Sequence, residues 1–321
     1  MKTRYLHFAP LLLGMMALFF PSCSSEDTGD DLPLSALIFH SIDGKQAAFT
    51  ALTHSAVSWE WDFGDGNSSN EKNPVHVYDE GGYYVATLTA KDKSGNSVTA
   101  QVNLAVALTP YALLTGDHTA EGYKGKTWKL TTNHSSAGDY LANADAGLSV
   151  VSGTPRPLPD GIFTSEFVMG DVYKDEFTFH YDGSYRHDVK EDGGALTGLV
   201  YEMMGSGGAG IINANGQQYG LCIAKYTPQA GATFTFKEKD NFTVSSVYAP
   251  PTYSIVFNNV MTLDFSGTEF IGLRDFQRKV MVKSITDTRM QLVLFMAAGT
   301  SPAQIIGINT HALVLSFEVV N

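Results

Sequence analysis

The sequence predicts an all-β chain, in which an immunoglobulin-like sandwich is followed by a larger β-sandwich or jelly roll. Two observations carry this expectation. Apolar and polar residues alternate with a period of two through many short runs, and no segment sustains the 3.6-residue period of a long helix. Glycine (31), Phe (19) and Tyr (15) are abundant, as suits pleated layers joined by tight turns. The 321 residues accommodate two domains of ordinary size, and 44% hydrophobic with 17% charged residues is a globular composition. A net charge of −12, without a cluster of Lys and Arg, excludes a nucleic-acid surface, because phosphate binding needs concentrated positive charge.

Lys2 and Arg4 precede an apolar run from Phe8 to Phe20, followed by Pro21, Ser22 and Cys23. A basic start, a short apolar stretch and small residues are the pattern of an export signal over residues 1–22. The run is too short to span a bilayer. Residues 23–35 then form a polar, acidic tether containing Glu26, Asp27, Asp30 and Asp31, which cannot bury a core. The arrangement resembles a bacterial lipoprotein signal, which implies that Cys23 is acylated, although Phe20 and Pro21 depart from the usual Leu and small residue. An acidic run directly after the cysteine resembles the surface-export signal of Bacteroidetes lipoproteins. That resemblance implies an outer-membrane lipoprotein facing the cell exterior. With Cys23 committed to lipid, Cys222 has no intramolecular partner; no disulfide is expected, and two cysteines do not make a zinc site unaided.

Residues 36–107 divide into runs 36–39, 46–50, 58–63, 76–78, 83–90 and 97–106, separated by Gly, Asp, Asn or Ser, the spacing of a sandwich. The period of two puts Trp59, Trp61 and Phe63 on one face and Glu60 and Asp62 on the other, so the aromatics belong to the core. A Gly64-Asp65-Gly66 turn follows. Together with Asn73 to Tyr78 and the strand 83–90, these residues resemble the PKD domain, and the resemblance implies that the matching Trp packs between two sheets. Asp62, Asp65 and Asn67 offer oxygen atoms that calcium could use, but in such a turn the Asp is expected to bond its own backbone. No metal is assigned, and the domain is read as a spacer.

Residues 108–124, with Pro110 and no periodicity, serve as a linker. The domain 125–321 carries alternating runs at 126–131, 176–189, 233–238, 242–247, 254–257, 261–265, 279–285, 290–295 and 312–319. One hairpin can be solved from register. A two-residue loop at Asp182-Gly183 would place Phe177 and Phe179 beside Arg186 and Asp188. A three-residue loop Tyr181-Asp182-Gly183, with Gly183 left-handed, instead gives one face of Phe177, Phe179, Tyr185, His187 and Val189. His180 then lies on the opposite face.

The blocks Gly125 to Leu130, Asp175 to Phe179 with Asp182 to Tyr185, Tyr253 to Phe257 and Ser284 to Leu294 resemble, in their order, the C-terminal domain of Bacteroidetes surface glycan-binding lipoproteins. The resemblance implies non-catalytic capture of polysaccharide, with β-glucan as one class, for a neighbouring SusC/SusD-like importer. Where such proteins carry a pair of tryptophans ahead of the 175–179 strand, this chain has Phe163 and Phe167. Smaller rings offer less stacking area to a sugar.

For catalysis, Asp171, Asp175 and Glu176 are the nearest carboxylate constellation. A glycosidase needs two carboxyls in one cleft, whereas Asp175 and Glu176 are adjacent on a strand and point apart, so no enzyme is expected. His118, His134, His180, His187 and His311 lack metal-ligand spacing. Ser206 to Gly210 reads as a flexible loop rather than a phosphate cradle. The carbohydrate-binding candidates are Tyr140, Phe163, Phe167, Tyr173, Tyr201, Tyr248 and Tyr253, which fall at strand ends or in the long segments 132–174 and 195–220, where rigid sandwiches carry their sites. Trp128, in mid-strand, is assigned to the core. The alternatives are a structural or adhesive lipoprotein binding a protein partner, or a glycoside hydrolase relative.

Overall fold

The computed structural model describes residues 32–150, 156–298 and 306–320. The export signal, Cys23 and the acidic part of the tether lie outside the described residues. The first domain consists of β1 (Ser35–Asp43), β2 (Gln46–His54), β3 (Ser58–Asp62), β4 (Ser68–Ser69), β5 (Val75–Val77), β6 (Gly82–Lys91) and β7 (Ser97–Val106). Two antiparallel sheets, β1-β2-β5 and β4-β3-β6-β7, enclose Phe49, Trp61, Phe63, Tyr78, Leu88 and Leu104. Trp61 is fully buried and its indole N–H donates to the Glu71 carbonyl at 3.0 Å, so the ring fills the core without stranding its polar atom. Tyr78 does the same through the Phe63 carbonyl at 3.0 Å.

The residues of the 108–124 stretch do more than connect. Thr109 caps a short helix, α1 (Pro110–Thr115), with Pro at its start, where a missing N–H costs nothing. The carbonyl of Leu114 accepts the Trp128 indole N–H at 3.0 Å, and the Tyr111 hydroxyl donates to the Tyr181 carbonyl at 2.7 Å. This stretch therefore packs on the larger domain.

That domain comprises β8 (Lys126–Leu130), α2 (His134–Ala137), β9 (Tyr140–Asn143), β10 (Arg156–Pro157), α3 (Ile162–Ser165), β11 (Glu176–Phe179), β12 (Tyr185–Asp188), β13 (Gly194–Gly198), α4 (Leu199–Ser206), β14 (Ile211–Asn213), β15 (Leu221–Lys225), β16 (Phe234–Ser245), β17 (Ser254–Phe265), β18 (Val280–Ile285), β19 (Arg289–Met296) and β20 (His311–Val319). The main sheet runs β12-β11-β8-β20-β19-β18-β17-β16, with β9 also paired to β20 and β10 to β9. It curves until its ends meet at the Ser184–Thr233 bridge, so its two halves are the layers of a β-sandwich. Between them lie Trp128, Phe177, Phe179, Phe265, Leu292, Leu315 and Phe317. A second apolar cluster, with Phe242, Val244, Val293, Phe295 and Val314, covers the other face of β19 and β20. Both faces of β19 are thus buried, and its run of apolar residues loses the alternation of a half-exposed strand.

The 177–189 hairpin has the expected register. Phe179 opposes Tyr185 and Phe177 opposes His187, while Gly183 has φ +86° and donates to the His180 carbonyl at 3.0 Å. His180 is half-buried on the face opposite Phe179. The segment 195–220, expected as a long loop, instead holds α4, most of β13 and β14, and the two strands pair with β15 in a three-stranded sheet, β13-β15-β14. The signal was absent because every residue of β13 is buried, so it does not alternate, and β14 is only three residues long. Ser206 to Gly210 forms the turn that ends α4, with Gly207 left-handed. Among the described residues no helix is long and apolar enough to cross a membrane.

Candidate functional site

The seven candidate aromatics separate into three environments. Phe163, Phe167 and Tyr173 come together around α3, at 5.6 to 5.8 Å between the Phe163 ring and its two neighbours, but they are core: 1%, 2% and 9% exposed. As sugar-stacking surfaces they are corrected by this burial. A buried polar network holds them. Asp139, fully buried, sits 2.8 Å from His134 Nδ1 and accepts the Ser316 N–H at 2.9 Å, the Ser316 hydroxyl at 2.6 Å and the Gln291 amide at 3.0 Å. His134 Nε2 lies 2.9 Å from the Tyr173 hydroxyl. With a carboxylate at Nδ1, that nitrogen carries the proton and Nε2 accepts from the phenol. Burial, aided by the charges of Asp139 and Asp160 and opposed by the Phe163 N–H, pushes Tyr173 up to about 12, so it remains a donor. His134 is a satisfied core histidine, and Asp139 has partners 152 and 177 residues away. No local pattern signals them.

Tyr201 and Tyr140 occupy the second environment, half-buried beside cations. The Arg274 guanidinium stands 5.2 Å from the centre of the Tyr201 ring, and the Phe276 ring meets it edge-on with 5.1 Å between centres. Arg274 also pairs with buried Glu202 at 3.5 Å. Tyr140 packs beside the Phe242 and Phe295 cluster and lies under Lys283, at 5.0 Å.

The third environment is the loop between β16 and β17. It carries Tyr248 and Tyr253 at its two ends, with exposed Pro250, Pro251 and Thr252 between them. Tyr248 is 40% exposed, yet its ring is held: the hydroxyl donates to Asn143 Oδ1 at 3.0 Å and the backbone N–H to Ser246 Oγ at 3.1 Å. The loop root is tied down in turn. Ser246 N–H donates to the Tyr253 carbonyl at 2.9 Å, Tyr253 N–H to the Ala249 carbonyl at 2.6 Å, and Val247 N–H to the Asn309 carbonyl at 3.1 Å. Half-buried Tyr253 has φ +50°, a left-handed conformation that bulky residues adopt only where the surroundings enforce it.

Polar groups surround this ring. Asn143 Nδ2 donates to Ser149 Oγ at 3.1 Å, and Asp145 accepts the N–H groups of Gly147 and Ser149 at 3.0 and 2.8 Å. Burial and the nearby Asp145 charge raise the Tyr248 pKa, so its hydroxyl stays protonated. Among the candidates only this loop combines an exposed, oriented aromatic face with adjacent amide, hydroxyl and carboxylate groups. Asn143, Asp145 and Ser149 were not anticipated, because they enter the site through the long-range pairing of β9 with β20.

Asp171 and Glu176 line one open cleft, together with Lys129, Lys174, Lys190, Glu191 and Asp192, and Asp171 is paired there with Lys174 at 2.7 Å. Asp175 is 4% exposed, and Glu176, on the opposite face, pairs with Lys190 at 2.6 Å. Burial, followed by the charges of Asp192 and Asp188, pushes Asp175 up to about 8. In the first domain, Asp62 accepts the Gly64 N–H at 2.9 Å. Asp65 accepts the Asn67 N–H at 3.0 Å and lies 2.6 Å from His76 Nε2. These oxygens serve the turn. Among the described residues no group of three or more His, Cys, Asp or Glu is placed to hold a metal ion. Cys222 is buried and free, and burial pushes its thiol up to about 11.

Comparison with known proteins places a PKD domain at residues 41–106. Collagenase ColA of Bacillus cereus is 35% identical over 78 residues, which are 24% of this chain and 8% of the collagenase; the chain thus spans less than a tenth of the length of that relative. The PKD1 domain of Vibrio anguillarum Epp is 29% identical, covering 24% of this chain and 95% of that domain, with a TM-score of 0.23. A carbohydrate-binding module from the β-sandwich superfamily covers 91% of this chain and 94% of its own at 12% identity and a TM-score of 0.25. A superposition this loose assigns no residue a role.

Proposed function

We propose that the chain is a non-enzymatic, surface-displayed polysaccharide-binding protein, whose larger domain contacts the glycan through the Tyr248–Tyr253 loop. The observation that carries this reading is the exposed Tyr248 ring, clamped by Asn143 at 3.0 Å and flanked by Asp145 and Ser149. Sugar rings present C–H faces that lie on an aromatic plane and hydroxyls that seek amides and carboxylates, and a ring ordered beforehand loses little freedom on binding. The sequence pattern of residues 1–35, with Cys23 and the acidic tether, supports a lipid anchor on the outer face of an outer membrane, and the resemblance of the larger domain's sequence blocks to glycan-binding lipoproteins suggests a neighbouring SusC/SusD-like importer. Weak single contacts then gain from many copies on one surface. The PKD domain acts as the spacer.

The test is retardation of the mature chain in affinity gels containing laminarin, mixed-linkage glucan, xylan or mannan. At least one glycan should retard it, and Tyr248→Ala should remove the retardation. For the anchor, radiolabelled palmitate should enter the protein in its host and be lost in Cys23→Ala; labelling that persists in the variant contradicts acylation there.

A second reading, binding of a protein partner, is favoured by one surface. The outer face of β1, β2 and β5 exposes Leu37, Phe39, Leu52, Val75 and Val77, each more than half accessible. Leu37 lies directly opposite Leu52. Contiguous apolar surface of this kind marks interaction sites. Loss of binding to the host cell surface on Phe39→Asp, with glycan retardation intact, would support that reading.

A further inference from the structure

Beneath α3 lies an apolar cavity of about 150 Å³. Its walls are Leu141, Leu158, Phe163, Phe167, Leu221 and Leu313, contributed by four stretches of the larger domain. Two polar side chains join the lining: the exposed carboxylate of Glu166 and the half-buried phenol of Tyr219. The Phe167 and Tyr219 rings stand 4.8 Å apart at 46°, and Phe163 meets Phe167 edge-on at 5.8 Å and 74°. The polysaccharide reading makes no use of this space, since sugar hydroxyls would be stripped of water against leucine.

We infer that this cavity binds a monocyclic aromatic group that carries a hydrogen-bond donor, with the ring among the leucines and phenylalanines and the donor at Glu166. Three observations select this class. An apolar space of about 150 Å³ accepts a single six-membered carbon ring, and away from Glu166 and Tyr219 a water molecule would lack the two to four polar partners it needs. The phenylalanine and tyrosine walls, already tilted against one another, give a guest ring the edge-to-face contacts that aromatic pairs prefer. The carboxylate at the lining, on a chain of net charge −12, attracts an ammonium or hydroxyl group and repels a carboxylate.

The experiment is ligand-observed NMR titration of the mature full chain with benzylamine, benzyl alcohol and benzoate as probes. Benzylamine and benzyl alcohol should bind saturably with Kd on the order of 1 mM, as fits a guest of eight heavy atoms, and benzoate about tenfold more weakly or not at all. Leu158→Phe fills the space and should weaken the first two about tenfold. Glu166→Gln keeps an acceptor oxygen but removes the charge, so it should weaken benzyl alcohol by about threefold or less and narrow the gap between benzylamine and benzoate to about threefold or less. Absence of saturable binding by the wild-type chain overturns the inference. So does an undiminished affinity in a folded Leu158→Phe chain. If that variant does not fold, the charge order of the three probes and its loss in Glu166→Gln decide the matter, and an order that ignores Glu166 overturns it.

Discussion

Two groups of aromatics in the larger domain look alike in sequence and differ in the folded chain. Phe163, Phe167 and Tyr173 lie in a long segment without obvious periodicity and are almost wholly buried. Tyr248 and Tyr253 bracket a proline-containing loop, and Tyr248 stands 40% exposed. The difference comes from what each group meets across the fold. The first is roofed by His134 and Asp139, which are themselves held by β19 and β20 through Gln291 and Ser316. The second caps the far end of the β16–β17 ribbon, where Asn143 and Asn309 brace the loop from its sides and leave the ring face open. An aromatic therefore becomes a core residue or a contact residue according to partners from 39 to more than a hundred positions away.

Substitutions should separate the two groups by stability first. Asp139→Ala strands the buried donors of His134 Nδ1 and of the Ser316 N–H and hydroxyl, each worth about 1 to 3 kcal/mol, while Gln291 keeps the Ala137 carbonyl at 3.1 Å. The expected loss is about 5 kcal/mol in denaturant unfolding, and a loss below about 1 kcal/mol would show that the network does not roof the first group. Phe163→Ala should cost about 3 to 4 kcal/mol by removing a buried ring, with glycan retardation unchanged in whatever fraction remains folded.

Asp175 adds a pH dependence on the β11 side of the first group. Burial, then the charges of Asp192 and Asp188, raise its folded pKa to about 8 from 3.8. The folded chain therefore keeps a proton that the unfolded chain releases near pH 3.8, and this favourable contribution is lost as the pH rises towards 8. Asp175→Asn should be nearly neutral in effect at pH 4 and stabilising by a few kcal/mol at pH 8. An equal effect at both values would mean that the carboxyl is ionised throughout.

Tyr248→Ala has the smallest expected effect on stability, within about 0.5 kcal/mol. It should nevertheless weaken glycan binding about tenfold, the size of one lost stacking contact. A variant that binds unchanged moves the site elsewhere.

The legibility of the chain follows the range of the forces involved. The face of Trp59, Trp61 and Phe63 could be read because alternation along one strand decides it, and the 177–189 hairpin because a charged residue on the wrong face excludes the competing register. The sheet of β13, β15 and β14 could not, since a strand buried on both sides carries no alternation and a three-residue strand carries almost no signal. The same limit applies to the site. Tyr248 could be named from its place at a strand end, but Asn143, Asp145 and Ser149 could not, because the pairing of β9 with β20 brings them into the sandwich. That His134 roofs the core together with Asp139 depends on residues at the other end of the chain.

The most direct test of the account is the affinity of the mature chain and of its Tyr248→Ala/Tyr253→Ala variant for laminarin, mixed-linkage glucan, xylan and mannan, measured by gel retardation and calorimetry on samples with matched unfolding midpoints. The account predicts that the wild-type chain binds at least one of the four and that the double variant, equally stable, binds none. Failure of the wild type to bind any of them, or undiminished binding by the double variant, would contradict it.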